Sequence, residues 1–158
     1  MNFKAVLGLG NPDKKYKNTY HNIGHMMIDF LTDKDIFSAD TLIVKNDGFM
    51  NESGNSAVSL IKKTGAKPEE LLVVHDDSDI SLGQFKLSQD RGAGGHKGVE
   101  DIMNKIGSKN FWRLRIGIRP AEETGKAEEF VLKKIKKEQL QVFEKVFEEA
   151  VIALSDLH

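Results

Sequence analysis

The chain of 158 residues contains no cysteine, which excludes disulfide bonds and thiolate metal ligands. It has no apolar run long enough to cross a bilayer, and its first residues lack the basic start and small-residue cleavage site of a signal peptide. We therefore expect a cytoplasmic protein that does not insert into membranes. At this length we also expect a single domain, residues 1–158, and a monomer.

The sequence also lacks a surplus of either charge, because 23 lysines and arginines are balanced by 24 acidic residues and the net charge is −1. Nucleic-acid-binding domains usually carry a basic surplus, so any such surface here must be local. A cluster of lysines at 133–137 lies close in sequence to several glutamates. We interpret this cluster as the solvated face of a helix.

The chain does show a regular alternation of strand and helix patterns. Strands are predicted by short apolar runs at residues 3–9, 41–45, 71–74 and 84–87, and by a strict alternation at 112–118. That alternation predicts that Arg113 and Arg115 share one face of their strand. Helices are predicted by apolar residues at helical spacing over 22–31, 51–63, 99–106 and 140–154. We predict an α/β fold with a twisted mixed sheet and helices on both faces, with ligands bound at strand ends.

Two motifs near the N-terminus resemble a dinucleotide-binding fingerprint and a zinc-protease helix, but each lacks a required residue. The segment Gly8-Leu9-Gly10-Asn11-Pro12 begins like a dinucleotide-binding fingerprint, but its proline and the absence of a third glycine argue against a nicotinamide cofactor. By itself it favours a tight turn. His21 and His25 have the spacing of a zinc-protease helix, yet Asn22 stands where the glutamate base is required. We expect neither zinc proteolysis nor an organic cofactor.

Two further segments have alternative interpretations. The segment His75-Asp76-Asp77-Ser78-Asp79 could hold a divalent cation, or one of its carboxylates could orient a distant histidine and raise that histidine's basicity. The segment Gly92-Ala93-Gly94-Gly95-His96-Lys97-Gly98 suits close approach by a phosphate or ribose, although a glycine-rich helix start would look similar.

The order of these motifs along the chain is more specific than any one of them. The segments in question are Gly8-Leu9-Gly10-Asn11-Pro12, Tyr16, Thr19-Tyr20-His21-Asn22-Ile23-Gly24, Phe49-Met50-Asn51-Glu52-Ser53-Gly54, Val74-His75-Asp76-Asp77, Gly94-Gly95-His96-Lys97-Gly98 and Arg113-Leu114-Arg115-Ile116-Gly117-Ile118. Together they resemble bacterial-type peptidyl-tRNA hydrolase over most of the chain.

The resemblance implies metal-independent hydrolysis of the ester that joins a peptide to the 3′ end of tRNA, which recycles tRNA from peptidyl-tRNA released by stalled ribosomes. It makes His21 the general base that activates water and Asp76 the residue that orients it. The substrate-binding residues it implies are Asn11, Tyr16, Phe49, Met50, Asn51 and Lys97. The candidates for contacts with tRNA phosphates are Lys86, Arg113 and Arg115.

The sequence also departs from the family pattern. Lys97 replaces the usual asparagine, Tyr20 replaces the usual arginine, and the segment between His21 and Phe49 is shortened. Two other interpretations stay open. One is a non-catalytic RNA-binding relative of the same fold. The other is a metal-dependent hydrolase, for which the ligands would be His21, His25, His75 and the carboxylates from Asp76 to Asp79.

Overall fold

A five-stranded sheet lies between two layers of helices in the computed structural model, which describes residues 1–157. In chain order the main elements are β1 (Ala5–Gly8), α1 (Ile23–Thr32), β2 (Leu42–Lys45), α2 (Ser53–Thr64), β3 (Leu71–Ser81), β4 (Phe85–Gln89), α3 (Lys97–Ile106), β5 (Trp112–Arg119), α4 (Ala127–Phe130) and α5 (Lys137–Ser155). The strand order is β2-β1-β3-β5-β4, with β4 antiparallel to β5 and the other pairs parallel. The predicted mixed sheet is confirmed.

The sheet separates two hydrophobic cores because successive side chains of a strand point to opposite faces. Val6, Leu72 and Leu114 pack on the face covered by α1 and α5. Leu7 and Val73 pack on the face covered by α2 and α3. Each side chain of this size stabilises the fold by about 1.5–3 kcal/mol when fully buried. The predicted helix layers on both faces are confirmed.

Glycine allows α1 to approach the sheet where the polar residues lie. A Cβ atom at Gly24 would lie 2.5 Å from the carbonyl oxygen of Val74 and 2.6 Å from that of Leu9. Both distances are shorter than van der Waals contact, so the backbones can meet only if residue 24 has no side chain. This contact brings the start of α1 beside the end of β1 and beside Val74 of β3, two residues before Asp76.

Three expectations about the elements are corrected. The strand predicted over 71–74 continues to Ser81, because its backbone still pairs with β5 through His75, Asp76 and Asp77. Leu140, predicted to pack in the core, is 40% exposed. The lysines at 133–136 precede α5 instead of forming a helix face, since the helix begins at Lys137. Within residues 1–157, no helix is both long enough and apolar enough to cross a membrane.

Candidate active site

The carboxyl ends of β1 and β3 border a cleft of about 810 Å³. Most of the side chains predicted to bind substrate or to catalyse lie along it, namely Asn11, His21, Phe49, Met50, Asn51, Asp76 and Lys97. His96 also lines the cleft, and the opposite wall comes from Arg119 and residues 126–132. The structure therefore brings together residues that range from Asn11 to Leu132, as expected at the strand ends of an α/β fold.

Asp76 is the centre of the polar network in this cleft. It is 2% exposed, and each of its carboxylate oxygens accepts a hydrogen bond from a histidine. His21 Nδ1 lies 2.7 Å from Oδ2, and His96 Nε2 lies 2.8 Å from Oδ1. Burial by itself raises the pKa of Asp76, but the charges and hydrogen bonds of the two histidines outweigh it and hold this pKa well below its usual range. The carboxylate is therefore ionised at neutral pH.

His21 lies in a short 3₁₀ turn, Tyr20–Asn22, directly before α1. Its backbone N–H donates to the carbonyl of Val131 at 2.7 Å, which fixes the turn against the opposite wall. Because Nδ1–H donates to Asp76, the neutral ring keeps an unprotonated Nε2. Burial lowers the pKa of His21, but the charge and hydrogen bond of Asp76 raise it above its ordinary value. The result is a basic imidazole in the cleft wall.

His96 is the residue of this network to which the sequence assigned no role. It caps α3, where its Nδ1 accepts from the backbone N–H of Val99 at 3.3 Å while its Nε2–H donates to Asp76. The ring centroids of His21 and His96 are 5.2 Å apart. The glycine-rich motif pointed to this segment, but only the long-range contact with Asp76 shows what the histidine does.

The residues that could hold a metal ion in the structure differ from the ligand set predicted for a metal-dependent hydrolase. His25 Nε2 lies 2.6 Å from Asn46 Oδ1, and both ring nitrogens of the buried His75 are hydrogen-bonded to other protein groups. Neither histidine belongs to the cluster of possible metal ligands within residues 1–157. The atoms that do meet belong to His21, Asp76 and His96, within 4.8 Å of one another. Two imidazoles and a carboxylate form a ligand set that zinc accepts.

The turn that carries Asn11 is held by two buried asparagines. The side chain of Asn22 accepts from the backbone N–H of Asn11 and donates to its carbonyl, both at 2.9 Å. Asn46 Oδ1 accepts from the backbone N–H of Gly10 at 2.9 Å. Asn11 Oδ1 accepts from the backbone N–H of Met50 at 2.8 Å, so Nδ2 is the part of this cleft-lining amide that remains able to donate to a ligand.

Comparison with known proteins now identifies the family, since a model of the family described as "Peptidyl-tRNA hydrolase" matches residues 5–158. The chain belongs to this family. It is 37% identical to a peptidyl-tRNA hydrolase of Sulfurihydrogenibium sp. (strain YO3AOP1), with 93% of this chain and 86% of the relative covered. It is 35% identical to that of Aquifex aeolicus (strain VF5), with 98% and 89% covered.

The fold agrees with solved structures of the peptidyl-tRNA hydrolase family. The crystal structure of the enzyme from Acinetobacter baumannii superposes with a TM-score of 0.83 at 29% identity, covering 97% of this chain and 87% of the other. A complex of peptidyl-tRNA hydrolase with N-propanol gives a TM-score of 0.84, also at 29% identity. The shortening after α1 therefore leaves the architecture of the peptidyl-tRNA hydrolase fold intact.

Two of the residues predicted to contact tRNA phosphates are buried in this member of the peptidyl-tRNA hydrolase family. Arg113 is 3% exposed and donates to His75 Nε2 at 3.2 Å and to the carbonyl of Gly92 at 2.7 Å. Arg115 is 7% exposed and donates to Asp77 Oδ2 at 2.8 Å. This burial argues against the predicted phosphate contacts of both arginines, because a phosphate would have to displace these internal partners. Lys86, on β4, is exposed.

Lys97 and Tyr16 differ in their relation to the cleft. Lys97 begins α3, is exposed, and has no carboxylate within ion-pair distance among residues 1–157. Its positive charge opposes the protonation of His21 and so reduces the rise in the pKa of that histidine. Tyr16 is half-buried and does not line the cleft, and Lys15 Nζ lies 5.0 Å from its ring centroid.

Proposed function

We propose that this protein is a peptidyl-tRNA hydrolase, which cleaves the ester between a peptide and the 3′-terminal ribose of tRNA and so recycles tRNA from stalled translation. The observation that carries the proposal is the pair formed by His21 Nδ1 and Asp76 Oδ2 at 2.7 Å. This pair leaves a basic nitrogen at a cleft whose walls carry the family's motif residues. We further infer a monomer, which the protein's mass in solution tests, and a cytoplasmic location, which cell fractionation tests.

In the proposed mechanism, His21 Nε2 takes a proton from a water molecule as the water oxygen attacks the ester carbonyl. Asp76 stabilises the imidazolium that forms, because its ionised carboxylate already accepts the Nδ1–H. Collapse of the tetrahedral intermediate breaks the bond to the ribose oxygen, and that oxygen receives the proton from His21. The products are a peptide carboxylic acid and a tRNA with a free terminal hydroxyl.

Selection of peptidyl-tRNA over aminoacyl-tRNA rests in this proposal on Asn11. With Oδ1 occupied by the N–H of Met50, Nδ2 is left to donate to the carbonyl that blocks the substrate's amino group. A free aminoacyl ammonium offers only donors, so it leaves this N–H unpaired. Asn51 would bind near the scissile carbonyl, and Phe49, which is 50% exposed, would supply an aromatic surface for the terminal base.

The test is release of N-acetylamino acid from N-acetylaminoacyl-tRNA in EDTA, with unblocked aminoacyl-tRNA as the matched substrate. We expect the wild-type protein to cleave only the blocked substrate. We expect His21→Ala to lower kcat by about 10²–10⁴-fold, the usual contribution of a general base. Circular dichroism and retained tRNA binding would show that the variant is folded.

Other outcomes would overturn the proposal in recognisable ways. If the wild-type protein binds tRNA but cleaves neither substrate, the result would favour a non-catalytic RNA-binding relative. Activity that is lost in EDTA and restored by zinc would favour a metal ion held by His21, Asp76 and His96, whose donor atoms lie within 4.8 Å of one another.

A further inference from the structure

Two basic segments that are far apart in sequence meet beside the cleft. One contains Lys14, Lys15 and Lys17, and the other contains Lys133, Lys134, Lys136 and Lys137. Their backbones are joined by hydrogen bonds from Tyr20 N to the carbonyl of Lys133 at 3.2 Å and from Ile135 N to that of Asn18 at 2.8 Å. A β-bridge pairs Thr19 with Lys134 between these bonds. We call these seven lysines the lysine surface.

The charge of the lysine surface is weakly neutralised. Its two ion pairs, Lys133 with Glu123 at 3.9 Å and Lys136 with Glu122 at 3.8 Å, are long and their lysines are more than half exposed. Such pairs contribute little. Lys134 instead donates to the carbonyls of Lys15 and Lys17, which ties the two segments together. The other four lysines of this surface form no ion pair within residues 1–157; these are Lys14, Lys15, Lys17 and Lys137.

The lysine surface is continuous with the cleft at two points. The backbone of His21 donates to the carbonyl of Val131, two residues before Lys133. On the other side, Lys14 and Lys17 line a separate cavity of about 350 Å³ that Asn11 also borders, and Asn11 lines the cleft as well. A long ligand whose end occupies the cleft can therefore extend over these lysines.

We propose that the lysine surface binds backbone phosphates of the tRNA whose 3′ end lies in the cleft. This rests on the proposed function for the identity of the ligand. A regular polyanion is the partner that several unpaired ammonium groups fit, particularly on a chain whose net charge is only −1. Lysine is also suited to holding phosphates without reading the base sequence, which an enzyme acting on many tRNAs requires. The burial of Arg113 and Arg115 leaves this role to other cations.

The test compares two triple variants with the same loss of charge. The first is Lys14→Gln, Lys17→Gln and Lys137→Gln, and the control replaces Lys62, Lys63 and Lys109, which are exposed elsewhere, by glutamine. Each is assayed on N-acetylaminoacyl-tRNA and on an N-acetylaminoacyl ester of a short single-stranded oligonucleotide. Binding of uncharged tRNA is measured over a range of salt concentrations.

We expect the first variant to raise KM for the tRNA substrate by about tenfold or more, with kcat kept, and to leave the short substrate unaffected. We expect the slope of log affinity against log salt to fall by about 2–3, since each neutralised phosphate contributes about 0.9. The control variant should change neither. Equal effects of the two variants, or an equal loss on the short substrate, would overturn the proposal.

Binding of uncharged tRNA separates this proposal from the proposed function. The wild-type protein could cleave neither substrate while tRNA affinity is lowered in the first variant and unchanged in the control. That result would contradict the proposed function and support tRNA binding by the lysine surface. If the first variant instead loses binding to phosphatidylserine vesicles and keeps binding to tRNA, the surface belongs to a membrane partner and the proposal is wrong.

Discussion

At the scale of single residues, one buried carboxylate organises two histidines. Asp76 accepts from His21 and from His96, so its charge both orients the proposed base and favours its protonated form. Lys97, where the family usually has asparagine, acts in the opposite direction because its charge lowers the pKa of His21. The strength of the base is therefore set by charges of opposite sign around one imidazole.

Two substitutions should accordingly move the pH dependence of activity in opposite directions. A general base must be unprotonated, so kcat/KM falls as the pH drops through the pKa of His21. Lys97→Met removes a charge that lowers this pKa and should shift the acidic limb to higher pH. Asp76→Asn removes the charge that raises it and should shift the limb to lower pH, with a lower kcat. The measurement is kcat/KM for N-acetylaminoacyl-tRNA across the acidic range.

The control for this pair is Lys109→Met, which removes an exposed charge outside the cleft and should leave the limb in place. Shifts of the same sign in Lys97→Met and Asp76→Asn would contradict the assignment of His21 as the titrating base.

At the scale of elements, the pairing of β3 with β5 places a buried arginine where it can fix the position of the loop that carries His96. Arg113 on β5 donates to His75 on β3 and to the carbonyls of Arg91 and Gly92, which lead into the glycine-rich segment that carries His96. Burial lowers the pKa of Arg113 to about 10, so it remains protonated at neutral pH. A single buried guanidinium thus joins two strands to the loop before α3.

Replacing Arg113 by methionine should therefore destabilise the fold. The change leaves the buried His75 Nε2 without its donor, which costs about 1–3 kcal/mol, and also removes two bonds to the more exposed carbonyls of Arg91 and Gly92. We expect the free energy of unfolding to fall by about 2–4 kcal/mol in urea titrations. The control is Lys86→Met on β4, an exposed change that should stay within about 0.5 kcal/mol. Equal stabilities of the two variants would show that the network contributes nothing.

At the scale of the whole molecule, buried titratable groups determine how stability depends on pH. Burial lowers the pKa of His75 well below its ordinary value, and the nearby charges of His96 and Arg113 lower it further. Below about pH 6.5 the unfolded chain binds a proton at this histidine and the folded protein does not, so stability falls as the pH falls. Asp76 has the depressed pKa of a bonded carboxylate, and its contribution is lost at still lower pH, below about 4.

The contribution of His21 to stability depends on pH in the opposite direction, because its pKa is raised in the folded protein. Its contribution is complete below about pH 6.5 and is lost as the pH rises through the folded value. Taken with His75, this predicts a maximum of stability near neutral pH.

His75 should account for the larger part of the slope below this maximum, and His25 adds to it because burial lowers its pKa as well. Below about pH 6.5, and until the pH reaches its lowered folded pKa, His75 should contribute about 1.4 kcal/mol of lost unfolding free energy per pH unit. His75→Gln keeps a donor and an acceptor but does not titrate, so urea titrations should show a flatter dependence by that amount. An unchanged slope would mean that His75 takes up its proton in the folded protein.

Local sequence patterns predicted the elements well, and the fold class followed from their alternation. The strand and helix periods are set by neighbouring residues, so Ala5–Gly8 and Ile23–Thr32 lie where they were expected. The predicted end of β3 was wrong, because its polar residues His75, Asp76 and Asp77 remain in the sheet through pairing with β5. Pairing between strands that are distant in sequence has no local signature.

The same distinction applies to the site. The motifs and their order are enough to propose Asn11, His21 and Asp76 from the sequence, because each lies in a recognisable segment. The roles of His96, Asn22 and Asn46 depend on partners 11 to 36 positions away in sequence. Hydrogen bonds of this kind are determined by the packing of α1 and α3 against the sheet.

The sequence by itself determined the fold class and the family resemblance, which named His21 and Asp76 as candidates, because these depend on local pattern, residue type and motif order. Only the tertiary structure decided the burial of Arg113 and Arg115 and the contact of Lys134 with the carbonyls of Lys15 and Lys17. Alternation shows that two arginines share a face, but not what covers that face. Likewise, the lysines had near neighbours of opposite charge in sequence, whereas folding placed them beside other lysines.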